Sequence, residues 1–527
     1  MSQDFPALAG RIVDALLQSD PVTAFYAGDH RVDDRLPDFS SGGVAARTAM
    51  LHDAANALAQ VDADVLEPED LVDHAQLSTA VDRRLFDLTE VRNHEWDPLA
   101  HNPGVLLHGL LTSEFAPVAD RLEVLAGRLA AVPDALATAR ETLRDCPTVH
   151  LETAIGQFAG VASLIRDELP AFAAQAPGVA LDKARDDALA ALAEFDGWLR
   201  EAVLRPGRDP RLGRRLWEGK LWYTLDTELP ASQLLDRAMV ALDDATAQLV
   251  DLCGGVPVRE ALDALGADRP DNTTILELSR RFTAEATEFC REHDLVTMVT
   301  DPLVIEEMPE FARGVAVAYC MPVGPFETAE LPTTFAISPA PRSWSPERVE
   351  SFYREYNNHM LRNLAVHEAM PGHYLQLAHS RRFRGSNPAR ALCRSGVFTE
   401  GWAVYTEELM ADAGFGGHPV KLAQLKMQLR MAINAVLDQL AHCEDLSEAE
   451  GMALMLERGF QEDGEAAGKW RRALLTSTQL STYFVGYTEM SSIAAARPAG
   501  TSVREWHDAM LGHGSPAPRH LRTLLGV

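Results

Sequence analysis

Seven prolines, at positions 302, 309, 322, 325, 332, 339 and 341, crowd one stretch of this chain. Each lacks a backbone donor and clashes with the preceding turn, so no long helix can run through that stretch. The β-prone runs Val296–Thr300, Val315–Cys320 and Thr333–Ser338 lie among them and predict a small sheet at about 296–340. Nearly everything else reads as helix. Leu122, Leu125, Leu129 and Val132 recur on one helical face, and Pro133-Asp134 is expected to restart a helix carrying Leu136 and Leu143. Leu235, Met239, Leu242 and Leu249 form a second stripe, and the Ala-rich tract 182–204 a further helix. The predicted class is mainly α, with a small sheet just before the helix that carries the chemistry.

With 527 residues and 46% hydrophobic content, the chain has ample material for a core and is not disordered. The Arg/Pro/Gly-rich stretch 205–213 is the best linker, dividing an N-terminal helical part, 1–210, from 211–527. Both sides share one composition, so a single compact unit is expected. Lys and Arg number 48 against 77 Asp and Glu, a net charge of −29. Such a surface repels phosphates, which excludes nucleic acid as a main partner and disfavours an anionic membrane. The first twenty residues lack a basic start and a long apolar run, and no window approaches a membrane span. Six cysteines without a CxxC pair read as buried reduced thiols. These features together place the protein in the cytoplasm.

The informative stretch is Asn363-Leu364-Ala365-Val366-His367-Glu368-Ala369-Met370-Pro371-Gly372-His373. In zinc hydrolases of the H-E-x-x-H type, two histidines at i and i+4 share a helical face and the Glu serves as general base. Here the second His is at i+6, about 120° off that face on a regular helix. Pro371 stands four residues after His367, where its ring must distort the helix, and Gly372 tolerates unusual dihedrals. A distortion absorbing two residues returns His373 to the side of His367. A third ligand is needed, and Glu400 follows His373 by 27 residues in Phe398-Thr399-Glu400-Gly401-Trp402. Glu407, seven residues further, either orients a ligand histidine or is itself the ligand; Glu408 is a second supporting carboxylate. The other His-Glu pair, His94-Glu95, has its next His at i+7 and no following Glu-Gly-Trp element, so a surface turn is expected there.

Both motifs resemble the bacterial family called domain of unknown function 885, which is regarded as similar to zinc metallopeptidases. Asp20–Gly28, Gln479–Gly486 and His507–Gly514 resemble its opening, a late Gln-x-x-x-Tyr-x-x-Gly element and its end. The resemblance implies a helical, funnel-like zincin fold similar to carboxypeptidase Taq and angiotensin-converting enzyme. It implies one Zn²⁺ per chain held by His367, His373 and Glu400, with Glu368 as base. Tyr483, in the late element, is then a candidate to steady an oxyanion, with Tyr487 as its rival.

The plain alternative for the ligand set is a buried polar network between helices. For Tyr483 it is a core tyrosine, for His379 a surface histidine, and for Arg471 and Arg472 exposed cations instead of a seat for a substrate carboxylate. Three ligand types at workable spacing beside a base favour a zinc metallopeptidase cleaving short or unstructured peptides. The rivals are a zinc hydrolase of a non-peptide amide or ester, and an inactive helical interaction protein. Thr333–Ser338 is a candidate edge strand for pairing with a substrate backbone.

Overall fold

The computed structural model describes residues 4–227, 229–309, 313 and 316–527. Its chain forms two units. One comprises Met1–Pro210 with Val323–Leu331 and Ser386–Leu392; the other comprises Arg211–Pro322, Pro332–Gly385 and Cys393–Val527. The changeover falls inside the Arg/Pro/Gly-rich stretch. Arg208 N donates to Asp145 O at 2.9 Å in the first unit, whereas the Arg211 guanidinium donates to Ala441 O and Leu446 O, both at 2.9 Å, in the second.

In the first unit, the Val118–Thr142 helix packs on Asp182–Ala202, which also meets Thr148–Ser163. Leu122, Leu125, Leu129, Val132 and Leu136 are buried against Leu192, Phe195 and Leu199 in this core. Pro133 does not restart a helix; it sits inside one continuous helix. An internal proline costs about 3 kcal/mol, and each buried Leu or Val returns about 1.5–3 kcal/mol, so the apolar face running through Pro133 wins. The short segment Ser386–Leu392 is fixed by the buried Arg390, whose guanidinium meets Asp73 at 2.6 Å and Glu69 at 3.0 Å.

The second unit is helical apart from a three-stranded sheet. Its strands are β1 (Leu303–Glu307), β2 (Ala318–Met321) and β3 (Thr333–Ile337), in the order β1-β3-β2. β3 runs parallel to β1, with Leu303 opposite Thr333, and antiparallel to β2, with Ala318 opposite Ile337. Two expectations change here and one is left at an undescribed residue. Val296–Thr300 is not a strand. Thr297 N and Oγ1 instead donate to the Asp508 carboxylate at 2.8 and 2.5 Å, and Leu295 O and Thr297 O meet ring nitrogens of His507 and His379. Val315, the start of the second run, lies outside the described residues. Thr333–Ile337 is the central strand with both sides paired, so β1 and β2, not β3, are the edge strands.

Phe335 and Ile337 of β3 share a core with Phe282 of the Ile275–Glu292 helix and with Met360, Leu361 and Leu364 of the Asn358–Glu368 helix. The sheet thereby fixes the helix that ends in His367 and Glu368. Two further helices, Gly396–Asp412 and Ser481–Ala495, approach unusually closely. A Cβ on Gly401 would stand 2.3 Å from Gly486 O, and one on Gly486 2.4 Å from Val397 O. Only glycine permits that contact.

Gly486→Ala is expected to lower stability by about 1–3 kcal/mol, because helix backbones would have to separate. Helix propensity alone favours Ala by about 1 kcal/mol. The control Gly197→Ala, in a helix with open space at the Cβ, is expected to be neutral or stabilising. Thermal unfolding followed by circular dichroism reads both; equal effects would remove the role assigned to the close approach.

Candidate metal centre

Asn357 caps the first site helix, its Oδ1 accepting from His359 N and Met360 N at 3.1 and 3.2 Å. That helix runs Asn358–Glu368 and the next runs His373–Ser380. Between them the chain breaks completely, a stronger distortion than a bulge. Met370 N donates back to Ala365 O at 3.1 Å and Gly372 N to Val366 O at 3.0 Å. Gly372 is pressed against the end of the first helix, where a Cβ would lie 2.0 Å from His367 O. Trp402 Nε1, from the Gly396–Asp412 helix, donates to Pro371 O at 2.8 Å and ties the break to the helix carrying Glu400.

The break sets the His367 and His373 rings edge to face, 4.6 Å between centroids. Glu400 Oε2 stands 3.6 Å from His367 Nε2 and 3.5 Å from His373 Nε2. One ligand atom from each of the three residues falls within 4.8 Å of the others, and no other such group of three occurs among the described residues. These separations are too long for hydrogen bonds. They suit atoms sharing one ion: tetrahedral ligands at ~2.0–2.1 Å from a metal are spaced ~3.4 Å apart. Glu400 Oε2 is buried without a hydrogen-bond partner, as is His373 Nδ1. The donor set of two imidazoles and a carboxylate is that of a zinc-type site. With Glu368 and Glu407 alongside, carboxylates outnumber imidazoles, an excess of negative charge that a dication offsets.

Glu407 sits behind His367. Its Oε1 is 2.6 Å from His367 Nδ1, and Asn363 Nδ2 donates to its Oε2 at 2.5 Å. The ring is thus oriented with Nε2 toward Glu400 and His373, the arrangement in which a carboxylate fixes a ligand histidine's tautomer. Burial opposes charge on His367, yet the neighbouring Glu400 and Glu407 carboxylates hold its pKa well above the ordinary value. Burial would raise Glu400 too, but the two imidazoles keep it well below the usual carboxylate range. For Glu368 burial dominates and pushes the carboxyl upward. Glu368 is 6% exposed and lines a cavity with His367, Glu407 and Tyr483.

Glu408 does not join this group. Its carboxylate accepts from Tyr487 Oη at 2.8 Å and from Gln428 Nε2 at 3.2 Å. Tyr487 is thereby occupied, whereas Tyr483 Oη accepts from Arg472 at 3.2 Å and Gln479 at 3.1 Å on the cavity wall. His379 is bonded to Thr297 O at 2.8 Å, outside the ligand group. His94 is buried and stacked on Phe39, and Glu95 pairs with Arg92. Sequence reasoning missed the role of Asn363, although it stands one helical turn before His367. It also missed a charged group on the cavity wall. There Arg430 meets Glu465 and donates to Tyr356 Oη at 3.0 Å, and Lys426 meets Glu355 at 2.8 Å. The signal was Lys426 and Arg430, spaced i and i+4 in the largely buried Gly417–Cys443 helix.

Comparison with known proteins follows the same lines. The family described as "Bacterial protein of unknown function (DUF885)" matches residues 21–525. A candidate lipoprotein of unknown function from Shewanella oneidensis is 28% identical, covers 99% of this chain and 100% of its own, and superposes with a TM-score of 0.84. A candidate lipoprotein from Colwellia psychrerythraea is 16% identical over 100% of this chain and 98% of its own, with a TM-score of 0.82. An M32 carboxypeptidase from Deinococcus radiodurans R1, 10% identical over 98% of this chain and 92% of its own, reaches a TM-score of 0.32, too low to carry an argument. No curated protein matches the sequence. The lipoprotein description of the Shewanella oneidensis protein overturns the cytoplasmic placement, since lipoproteins are lipid-anchored proteins. The cysteines do not bear on the matter: none forms a disulfide among the described residues, and reduced thiols suit either side of a membrane.

Glu407→Gln is expected to weaken metal binding about 10–100-fold, because the His367 ring loses its anionic partner. Competition titration against a chromophoric chelator measures this; unchanged affinity would separate Glu407 from the site.

Proposed function

The chain belongs to this family of bacterial proteins of unknown function, and we propose that it is a zinc-dependent peptidase acting on short or unstructured peptides. The convergence of His367, His373 and Glu400 beside a buried Glu368, on a cavity shared with Tyr483, carries the reading. The three ligands would hold one Zn²⁺, which supplies Lewis acidity and lowers the pKa of water from 15.7 to about 7. Every other element belongs to the chain. Glu368 takes the proton of the attacking water and passes it to the leaving amine. Tyr483, held from behind by Arg472 and Gln479, directs its hydroxyl proton at the developing oxyanion. Glu407 and Asn363 keep the His367 ring from rotating. The lipoprotein description of the Shewanella oneidensis protein favours a working place outside the cytoplasm.

Protein purified without chelators is expected to contain about one zinc per chain by mass spectrometry, and His373→Ala to lose it. Glu368→Gln should keep the metal while cleavage of a peptide library falls about 10²–10⁴-fold. Metal-free wild-type protein, or undiminished cleavage by Glu368→Gln, would overturn the assignment. Metal-loaded wild type that ignores peptides but hydrolyses simple esters would move the substrate to non-peptide acyl compounds.

A further inference from the structure

A short link, 476–480, joins the Asp463–Leu475 helix to the Ser481–Ala495 helix that carries Tyr483. The groups that hold the Tyr483 hydroxyl stand on both sides of it. Arg472, before the link, donates to Tyr483 Oη at 3.2 Å and to Gln479 Oε1 at 2.7 Å. Gln479, within the link, donates to Tyr483 Oη at 3.1 Å. The phenol oxygen thus accepts twice, and its own hydrogen is left to donate into the cavity that Tyr483 lines. The backbone of Tyr483 follows its helix, but the direction of its hydroxyl depends on the link.

Two side chains one turn apart on the Gly417–Cys443 helix pin that link at both ends. Asp438 is 1% exposed, and its carboxylate accepts from Thr478 N at 3.0 Å, Ser481 N at 3.1 Å, Ser481 Oγ at 2.8 Å and Trp217 Nε1 at 3.1 Å. Amides at the start of a helix otherwise lack partners, and the helix dipole favours a carboxylate there. His442 does the converse at the end of the preceding helix. Leu212 N donates to its Nδ1 at 3.2 Å, so Nε2 carries the ring hydrogen and shares it between Ala473 O and Thr476 O, both at 2.9 Å. Thr478 needs this support. Its φ of 66° lies in the left-handed region, which β-branched residues seldom enter. Its hydroxyl lies 2.9 Å from Thr224 Oγ1, and the adjacent Ser477 Oγ accepts from Lys220 Nζ at 2.8 Å. Trp217, Lys220 and Thr224 share one face of the Arg214–Leu225 helix. Strained residues persist only where their surroundings over-determine them, and they gather at working sites.

We propose that Asp438 and His442 are positioning residues for the reaction: by pinning both ends of the link they keep Arg472 and Gln479 on the Tyr483 oxygen, and so aim its hydroxyl proton at the substrate carbonyl. The proposal rests on the peptidase reading above and adds to it the groups that hold the oxyanion donor in place. Neither Asp438 nor His442 is among the residues that line the cavity. A change at either therefore reaches the reaction through Tyr483 and its two partners.

Peptide kinetics and fluorine NMR on the metal-loaded protein test this together. Tyr483→Phe is expected to lower kcat about 10²–10³-fold while KM stays within about threefold. Asp438→Asn keeps the shape but turns one acceptor into a donor. It should lower kcat about 10–100-fold, with KM and zinc content unchanged. In the Tyr483→Phe background the same substitution should cost less than about twofold, because the group it positions is gone. His442→Leu should act like Asp438→Asn, and His442→Gln, which keeps a donor and an acceptor, should recover most of the rate. Full additivity of Asp438→Asn with Tyr483→Phe would overturn the proposal.

The second reading needs no turnover. The chain has nine tyrosines, and with all of them replaced by 3-fluorotyrosine, the resonance missing from Tyr483→Phe belongs to Tyr483. Asp438→Asn should move that resonance and leave the others in place. Ser481→Ala, which removes one hydroxyl donor and no backbone group, should move it by less and serves if Asp438→Asn does not fold. An unmoved Tyr483 resonance would overturn the positioning role whatever the activity. A moved resonance in metal-loaded wild-type and variant protein that cleaves no peptide would instead sink the peptidase reading and leave the grip on Tyr483 standing.

Discussion

The site depends on one short interruption of a helix. Four residues, 369–372, separate the end of one helix from the start of the next, and within them the chain turns back on its own carbonyls. A side chain at Gly372 would collide with His367 O, and the Pro371 carbonyl is held by the Trp402 indole. Without this break the two histidines would point to different faces of one helix. With it, their rings meet at a carboxylate delivered by a second helix.

Charge is distributed around that break in an ordered way. The carboxylates on the His367 side outnumber their imidazole partners, while on the Asp463–Leu475 side Lys469 shares Glu465 with Arg430 and Arg472 meets the neutral Gln479 and Tyr483. The two sides line one cavity, a few side chains apart. In a low-dielectric setting an excess of charge is more costly than it would be in water. Such an excess is what an ion removes when it binds.

How far the sequence could be read varied with the range of the interaction concerned. His367, Glu368 and His373 were legible because their roles follow from local spacing, and the break was legible because proline and glycine act on their immediate neighbours. Glu400 was within reach because a helix, a turn and a helix span 27 residues predictably. The helix through Pro133 was misread because a local rule met a stronger tertiary one, the buried face on both sides. Val296–Thr300 carried strand propensity, but the backbone groups of Thr297 were taken by Asp508 and His379 from distant parts of the sequence. Pairing across the sheet likewise made Thr333–Ile337 central instead of an edge.

The paired glycines Gly401 and Gly486 have a mechanical consequence. Because their helices touch backbone to backbone, Glu400, one residue before one contact, and Tyr483, three residues before the other, ride on a single stiff body. A carboxylate and a phenol fixed to the same body cannot drift apart as the protein breathes. The spacing between these two groups is therefore set by the helix contact itself, and not by the loops around the cavity.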